Sequence, residues 1–350
     1  MRGGNRRVGG PATERSDEEA TRGGSALAID DPKGPRKQNS ELKPADKIAI
    51  AYLVATTLLV LVFNHRIRWW WAFCAGHAVL IVLIVLIAKS LPISPSPLRL
   101  LTQSVPLSES RSLRLAIATL VRGWYPVALI PITYKELSYL IPFIHPRDFD
   151  AALAGIDHRF LGVHPTVWLE RLTWPPLTEI LQLTYSTYYF LPLVLGVALW
   201  RRGSRETFHF WVFIVVLGFY LSYLGYIAVP AIGPRFLPSI VEAQTIPLTG
   251  VWLFQPVREM LDRAEGITRD CFPSGHTELT LLVLIYARVF HRKVFWWLLP
   301  LGTGVIVSTV YLRYHYVIDV AAGALLAGAI VMIAKPLYRR LGGDDLREWE

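Results

Sequence analysis

The stretch YLRYHYVIDVAAGALLAGAIVMIA, Tyr311–Ala334, reads as a membrane-spanning helix with an ionisable start. From Val320 to Ala334 it carries no charge, and about 20 mainly apolar residues suffice to cross a bilayer. His315 and Asp319 stand at its beginning, four residues apart, which places them on one face of a helix. A charged side chain within a span costs about 2.5–3.5 kcal/mol on insertion scales, so ionisable residues at this depth mark function by default.

The rest of the chain has the same character. Of 350 residues 53% are hydrophobic, and the mean hydropathy is +0.37. Apolar runs recur near 48–64, 69–90, 115–144, 178–200, 207–232, 274–290, 294–313 and 315–335, which makes eight spans. The third is too long for one straight span. Either its early part, through Arg122, lies along the interface, or it kinks at Pro126 or Pro131. The fold class is therefore an all-α polytopic membrane protein.

The formal charge is +9, but the basic residues lie mostly between apolar runs. There they set membrane orientation, and no nucleic-acid partner is expected. Lys89 to Arg114, RRGSRE (201–206), RVFHRK (288–293) and Lys335, Arg339 and Arg340 mark the inner side. Both termini then lie in the cytoplasm, at the plasma membrane. Trp69, Trp70, Trp71, Trp200, Trp296 and Trp297 fall near span ends, as an aromatic belt does. Residues 1–47 are rich in Gly, Arg and acidic residues with no apolar period and read as a disordered tail. Residues 48–91 hold two helices, 115–335 the core, and 336–350 a cytoplasmic tail. Segments 149–174 and 250–267 mix apolar and charged residues and read as helices lying in the outer interface.

Counting spans brings several polar groups to the outer ends of the last helices. The fifth span ends in VPAIGPRFLP with Arg235, the sixth opens with CFPSGHTEL, and the eighth opens with HYVIDV. Ser274 and Gly275, behind Pro273, open a helix whose free N–H groups attract an anion. His276 sits in the same first turn, ready to exchange a proton. Asp319 is placed to fix the tautomer of His315 and leave its other nitrogen nucleophilic. Arg235 and Arg313 suit phosphate oxygens. Lys135 and Glu136 read first as partners of other buried charges. His145, His158 and His164 have no zinc spacing, and no metal is expected. Cys74 and Cys271 are too far apart in sequence to form a motif and read as unrelated thiols.

PSGH followed by Ser308-x6-His315-x3-Asp319 resembles the type 2 phosphatidic acid phosphatase superfamily. The resemblance implies a six-helix core, here preceded by two further transmembrane helices. It also implies metal-independent chemistry without a cofactor on lipid phosphoesters. Two departures stand out. Ala228 and Phe236 replace the lysine and proline of the first motif around Arg235, and Thr309 replaces the arginine of the third. The HYVID form is similar to the branch of inositol phosphorylceramide and sphingomyelin synthases. By this resemblance His315 attacks phosphorus to give a phosphohistidine and Asp319 orients it. His276 handles the proton of the leaving and entering groups, while Arg235, Ser274 and Gly275 hold the phosphoryl oxygens. Arg313 is our own candidate for the missing arginine. The expected partners are a membrane lipid and an alcohol or water acceptor. The expected reaction is inositolphosphotransferase-like headgroup transfer. The alternatives are hydrolysis of a lipid phosphate or isoprenyl pyrophosphate, or a non-catalytic membrane protein or transporter on the same fold.

Overall fold

In the computed structural model the described residues are 42–91, 109–266 and 269–344. Most of the expected amino-terminal tail, much of the 89–114 loop and the last residues of the carboxyl tail lie outside them. The helices are α1 (Pro44–Val62), α2 (Trp70–Ser90), α3 (Glu109–Ile144), α4 (Asp150–Leu161), α5 (Pro165–Trp168), α6 (Pro175–Ser186) and α7 (Leu191–Arg202). They continue with α8 (Arg205–Ala228), α9 (Pro238–Ala243), α10 (Phe254–Glu265), α11 (Gly275–Phe290), α12 (Arg292–Tyr311) and α13 (Val317–Arg340). There is no strand among the described residues.

Seven helical stretches among them are long and apolar enough to cross a membrane, with α6 and α7 joining into one. The remaining expected span, the sixth (274–290), becomes α11, with 16 residues. At 1.5 Å per residue it rises about 24 Å, short of a hydrocarbon core of about 30 Å. PSGH straddles its start, with Ser274 as the N-cap and Gly275 and His276 in the first turn.

Helix α8 is the axis of the bundle. Its sequence is apolar on all sides, and 78% of its spanning window is buried. It packs against α1, α3, α7, α11 and α13, while α2 packs on α1 and reaches α3 through His77. Only 17% of the α2 window is buried, so most of its apolar surface faces outward, as it does where lipid is the solvent.

The first helix starts earlier than its hydropathy indicates. Pro44 takes the first turn, where its missing N–H costs nothing, and Asp46 accepts the Lys43 N–H at 2.8 Å. Residues 44–47 thus belong to α1. The third span is one continuous helix through Pro126, Pro131 and Pro142. Arg122 does not lie along an interface. It is buried, with its guanidinium 2.6 Å from Asp46 Oδ2. The last helix runs on to Arg340, past the expected end at 335. Trp69, Trp70, Trp71, Trp296 and Trp297 are exposed near helix ends, as a belt requires. Trp200 instead packs in the bundle against Trp124 and Phe208.

Lys135 and Glu136 do not pair with each other. Lys135 donates to the last carbonyls of α10, Ala264 and, at 2.7 Å, Glu265. Glu136 binds His77 Nε2 at 2.7 Å, and His77 Nδ1 meets the Thr57 hydroxyl at 2.7 Å. That chain fastens the α1–α2 hairpin to α3.

Candidate active site

The segments expected in the outer interface form α4, α5 and α10 and pack over one end of the bundle, α4 against α13 and α10 against α6. Four carboxylates fasten this cap by collecting backbone N–H groups distant in sequence. Asp150 accepts from Ile232 and Gly233 and from the Tyr316 hydroxyl. Asp157 accepts from Val317 and Ile318 at 2.7 and 2.9 Å, and so caps α13 from another helix. Glu170 receives Thr245 and Ile246, and Glu179 receives the four amides from Val251 to Phe254. Burial pushes the Asp157 carboxyl up from its ordinary range, and the two N–H groups oppose that rise.

Beneath this cap the chain reverses between α12 and α13. Arg313 adopts φ 66°, and Tyr314 and His315 both donate their N–H groups to the Thr309 carbonyl at 3.0 Å. A non-glycine residue in the left-handed region costs of order 1 kcal/mol or more and persists only where its surroundings hold it. Here the Arg313 guanidinium is fixed by Glu170 at 3.0 Å, Gln244 at 2.8 Å and the Ile246 carbonyl at 2.6 Å. The fork expected to receive a phosphate is committed to holding the turn and the loop over it.

The turn delivers His315 to His276. His315 Nε2 lies 3.5 Å from His276 Nδ1, joining the two halves of the sequence motif at one point. His315 Nδ1 is 2.9 Å from the Cys271 carbonyl, an oxygen that can only accept. The proton therefore sits on Nδ1, and Nε2 presents its lone pair. This corrects the expected role of Asp319. His315 precedes the helix, which begins at Val317, so the pair straddles a helix cap and does not share a helical face. Asp319 Oδ2 is 3.5 Å from Nδ1 and accepts at 2.8 Å from both the Tyr316 N–H and the Cys271 thiol. The carbonyl of Cys271 is the nearer partner of the imidazole.

Ser274 is the N-cap of α11. Its hydroxyl accepts from the Thr277 amide at 3.2 Å and the Thr277 hydroxyl at 3.1 Å. Its own N–H donates to the Asp319 carbonyl at 3.0 Å, which ties the starts of α11 and α13 together. The side chain expected on a phosphate thus caps its own helix. Gly323 makes the junction close. A Cβ there would overlap the Ser274 carbonyl oxygen and lie 3.3 Å from the Glu278 amide, both of them backbone. Gly323→Ala is accordingly expected to destabilise the protein by about 1–3 kcal/mol, read as a lower Tm in detergent. Gly275 likewise leaves room for the Tyr226 hydroxyl.

His276 is stacked against Tyr185, ring centroids 4.5 Å apart, and Tyr188, 4.1 Å away, and its Nε2 is buried without a hydrogen-bond partner. Tyr185 stacks in turn on Tyr314 at 4.4 Å, and the Arg235 guanidinium lies over Tyr314 at 4.5 Å. Arg235 therefore reaches the histidines through a column of rings, and its charge is paired with Asp262 at 2.8 Å.

A cavity of about 270 Å³ opens beside His276. It lies among α3, α7 and α8, lined by Val127, Ile130, Leu193, Phe219 and the tyrosines 134, 188, 189, 223 and 226. Asp270 is the carboxylate in its wall, held by the Tyr134 hydroxyl at 2.6 Å. Burial raises the Asp270 carboxyl. Burial, together with the charge of Asp270, raises Glu265 to about 7.

Sequence reasoning brought His276, His315 and Asp319 together. It missed Cys271, Asp270 and the four carboxylates of the cap. The signal for Cys271 was its place two residues before PSGH, with a carbonyl that the histidine needs.

A family profile described as the PAP2 superfamily matches residues 151–333. The bacitracin transport permease protein BcrC of Bacillus licheniformis is 44% identical over 57 residues, which is 16% of this chain and 28% of that protein. The match thus spans less than a third of the relative's length. No solved structure matches.

Proposed function

This chain belongs to the PAP2 superfamily, and from that premise we propose that it moves the phosphoryl group of a membrane lipid phosphoester through a phosphohistidine on His315. One observation carries the reading. A histidine whose Nδ1 is occupied by a carbonyl turns its free Nε2 toward a second histidine, 3.5 Å away, beside an apolar cavity.

In the first step the Nε2 lone pair attacks phosphorus, and the bond from phosphorus to the leaving oxygen breaks. His276 gives that oxygen a proton. The new N–P bond leaves positive charge on the imidazole, and Asp319, 3.5 Å from Nδ1, stabilises it. In the second step His276 takes a proton from an alcohol or water, whose oxygen displaces the histidine. The apolar chain of the lipid occupies the cavity, whose walls are mostly aromatic and aliphatic. Arg235 binds a phosphoryl oxygen by exchanging Asp262 for the substrate, while Ser274 and Gly275 supply a helix start that favours negative charge. Arg313 we assign to the turn. We assign the site to the outer face of the membrane, the side away from the basic loops.

We take headgroup transfer to an alcohol, as in the synthase branch that HYVID resembles, as the reaction. Hydrolysis is the same second step with water, and membership in a superfamily of phosphatases favours it for a lipid phosphate or isoprenyl pyrophosphate. Purified protein is incubated with a labelled phospholipid, with and without inositol, glycerol or diacylglycerol. Transfer predicts a labelled adduct of the added alcohol that grows with its concentration. Release of only free phosphate or phospho-headgroup, whichever alcohol is present, removes the transferase reading and leaves hydrolysis.

A further inference from the structure

The thiol of Cys271 has no part in this chemistry, yet it touches two residues that do, His315 and Asp319. Cys271 Sγ lies 2.8 Å from Asp319 Oδ2 and 3.5 Å from His315 Nδ1, and the last two atoms are 3.5 Å apart. All three side chains are buried, and one ligand atom from each lies within 4.8 Å of the others. Asp319 is fully buried, and its second oxygen, Oδ1, has no hydrogen-bond partner. A buried carboxylate oxygen without a donor is a costly group that a cation relieves.

We propose that Cys271, His315 and Asp319 bind a divalent cation of borderline softness, Zn²⁺ foremost, and that its occupation switches the phosphoryl site off. A thiolate, an imidazole and a carboxylate are the donor set of such an ion. Zinc bonds of about 2.3 Å to sulfur and 2.0–2.1 Å to nitrogen and oxygen set tetrahedral ligands about 3.3–3.6 Å apart. Two of the three separations already have that value, and the sulfur–oxygen pair opens by less than about 1 Å. The carboxylate of Asp270, next in the chain to Cys271, stands in the wall of the cavity.

The proton balance makes the ion an inhibitor. The thiol proton leaves to solvent. The metal takes His315 Nδ1, so the imidazole proton moves to Nε2. That nitrogen then has no lone pair to offer phosphorus, and it points an N–H at His276. The reaction proposed above uses no metal, and the bound ion holds the nucleophile in the wrong tautomer. Binding stands apart from the proposed function, and only the inhibition rests on it.

The chain has two cysteines, which makes the test direct. Full-length Cys74→Ser protein, stripped with a chelator in detergent, keeps Cys271 as its single thiol. Titration with Co²⁺ is expected to give a thiolate-to-cobalt charge-transfer band that saturates at one ion per chain and is displaced by Zn²⁺. Zn²⁺ is expected to stop turnover of phosphatidic acid, and chelator to restore it. Cys271→Ser protein should lack the band and bind Zn²⁺ at least about tenfold more weakly. If that variant does not fold, Asp319→Asn in the Cys74→Ser background carries the same expectation for Co²⁺ affinity. No thiolate band in Cys74→Ser, a band retained in Cys271→Ser, or unchanged affinity in Asp319→Asn overturns the metal site. A band without inhibition overturns the switch alone. Absence of turnover before any metal is added bears on the enzymatic reading and leaves the metal site to the spectrum.

Discussion

Replacing His315 by alanine is expected to lower turnover of a lipid phosphoester about 10⁴–10⁶-fold while the protein still folds. The two parts of that expectation have separate grounds. The loop around His315 is held by backbone bonds that the substitution leaves in place, from Tyr314 and position 315 to Thr309 and from Tyr316 to Asp319. The imidazole itself carries the lone pair that the proposed first step needs, and no neighbouring group replaces it. His276 stands nearest, but its ring is packed against Tyr185 and Tyr188. His276→Ala should behave differently. An acid that protonates the leaving oxygen contributes about 10²–10⁴-fold for an alkyl ester and far less for p-nitrophenol, which leaves without help. Measured on phosphatidic acid and on p-nitrophenyl phosphate, His315→Ala should fail with both and His276→Ala mainly with the first. Turnover by His315→Ala within about tenfold of the parent protein, at unchanged Tm, removes the nucleophile.

What could be read from the sequence was what local pattern encodes. Apolar runs gave the helices, and two short motifs gave both histidines. Span counting then put PSGH and HYVID at one end of the bundle, where the structure has them 3.5 Å apart. The misreadings come from contacts between residues remote in the chain. Arg313 looked like an open cation because Glu170, which pairs with it, is 143 positions away. Ser274 looked like a phosphate ligand because a helix cap and an anion site use the same residue types. Cys271 looked inert because a lone thiol has no spacing to read, and the nearer partner of His315 is its carbonyl, which every residue carries. The cap carboxylates left no pattern either, since each satisfies amides supplied by another segment.

The second large effect is one of stability and lies toward the opposite end of α3 from the site. Asp46 and Arg122 are 0% and 2% exposed, and Asp46 Oδ1 also accepts from the Tyr125 hydroxyl. Removing one partner of a buried ion pair leaves the other charge uncompensated and costs about 3–5 kcal/mol. Asp46→Ala or Arg122→Met should each destabilise the fold by that amount. At about 2–4 °C per kcal/mol this is a fall of roughly 6–20 °C in Tm. The double variant should be far better than the sum, because two apolar side chains in place of a buried pair are often neutral. A double-mutant cycle by thermal melting in one detergent reads this coupling directly. Additive losses would mean that each residue is held by neighbours other than its partner. The cycle has a functional corollary. The α1–α2 hairpin precedes the 151–333 stretch that matches the PAP2 superfamily, and this pair, the Tyr125–Asp46 bond and the His77–Glu136 bond help fasten it to α3. Turnover per folded molecule should therefore survive the double substitution. If it falls while Tm recovers, the hairpin shapes the cavity, whose wall residue Tyr223 meets Tyr52 of α1, as well as stabilising the bundle.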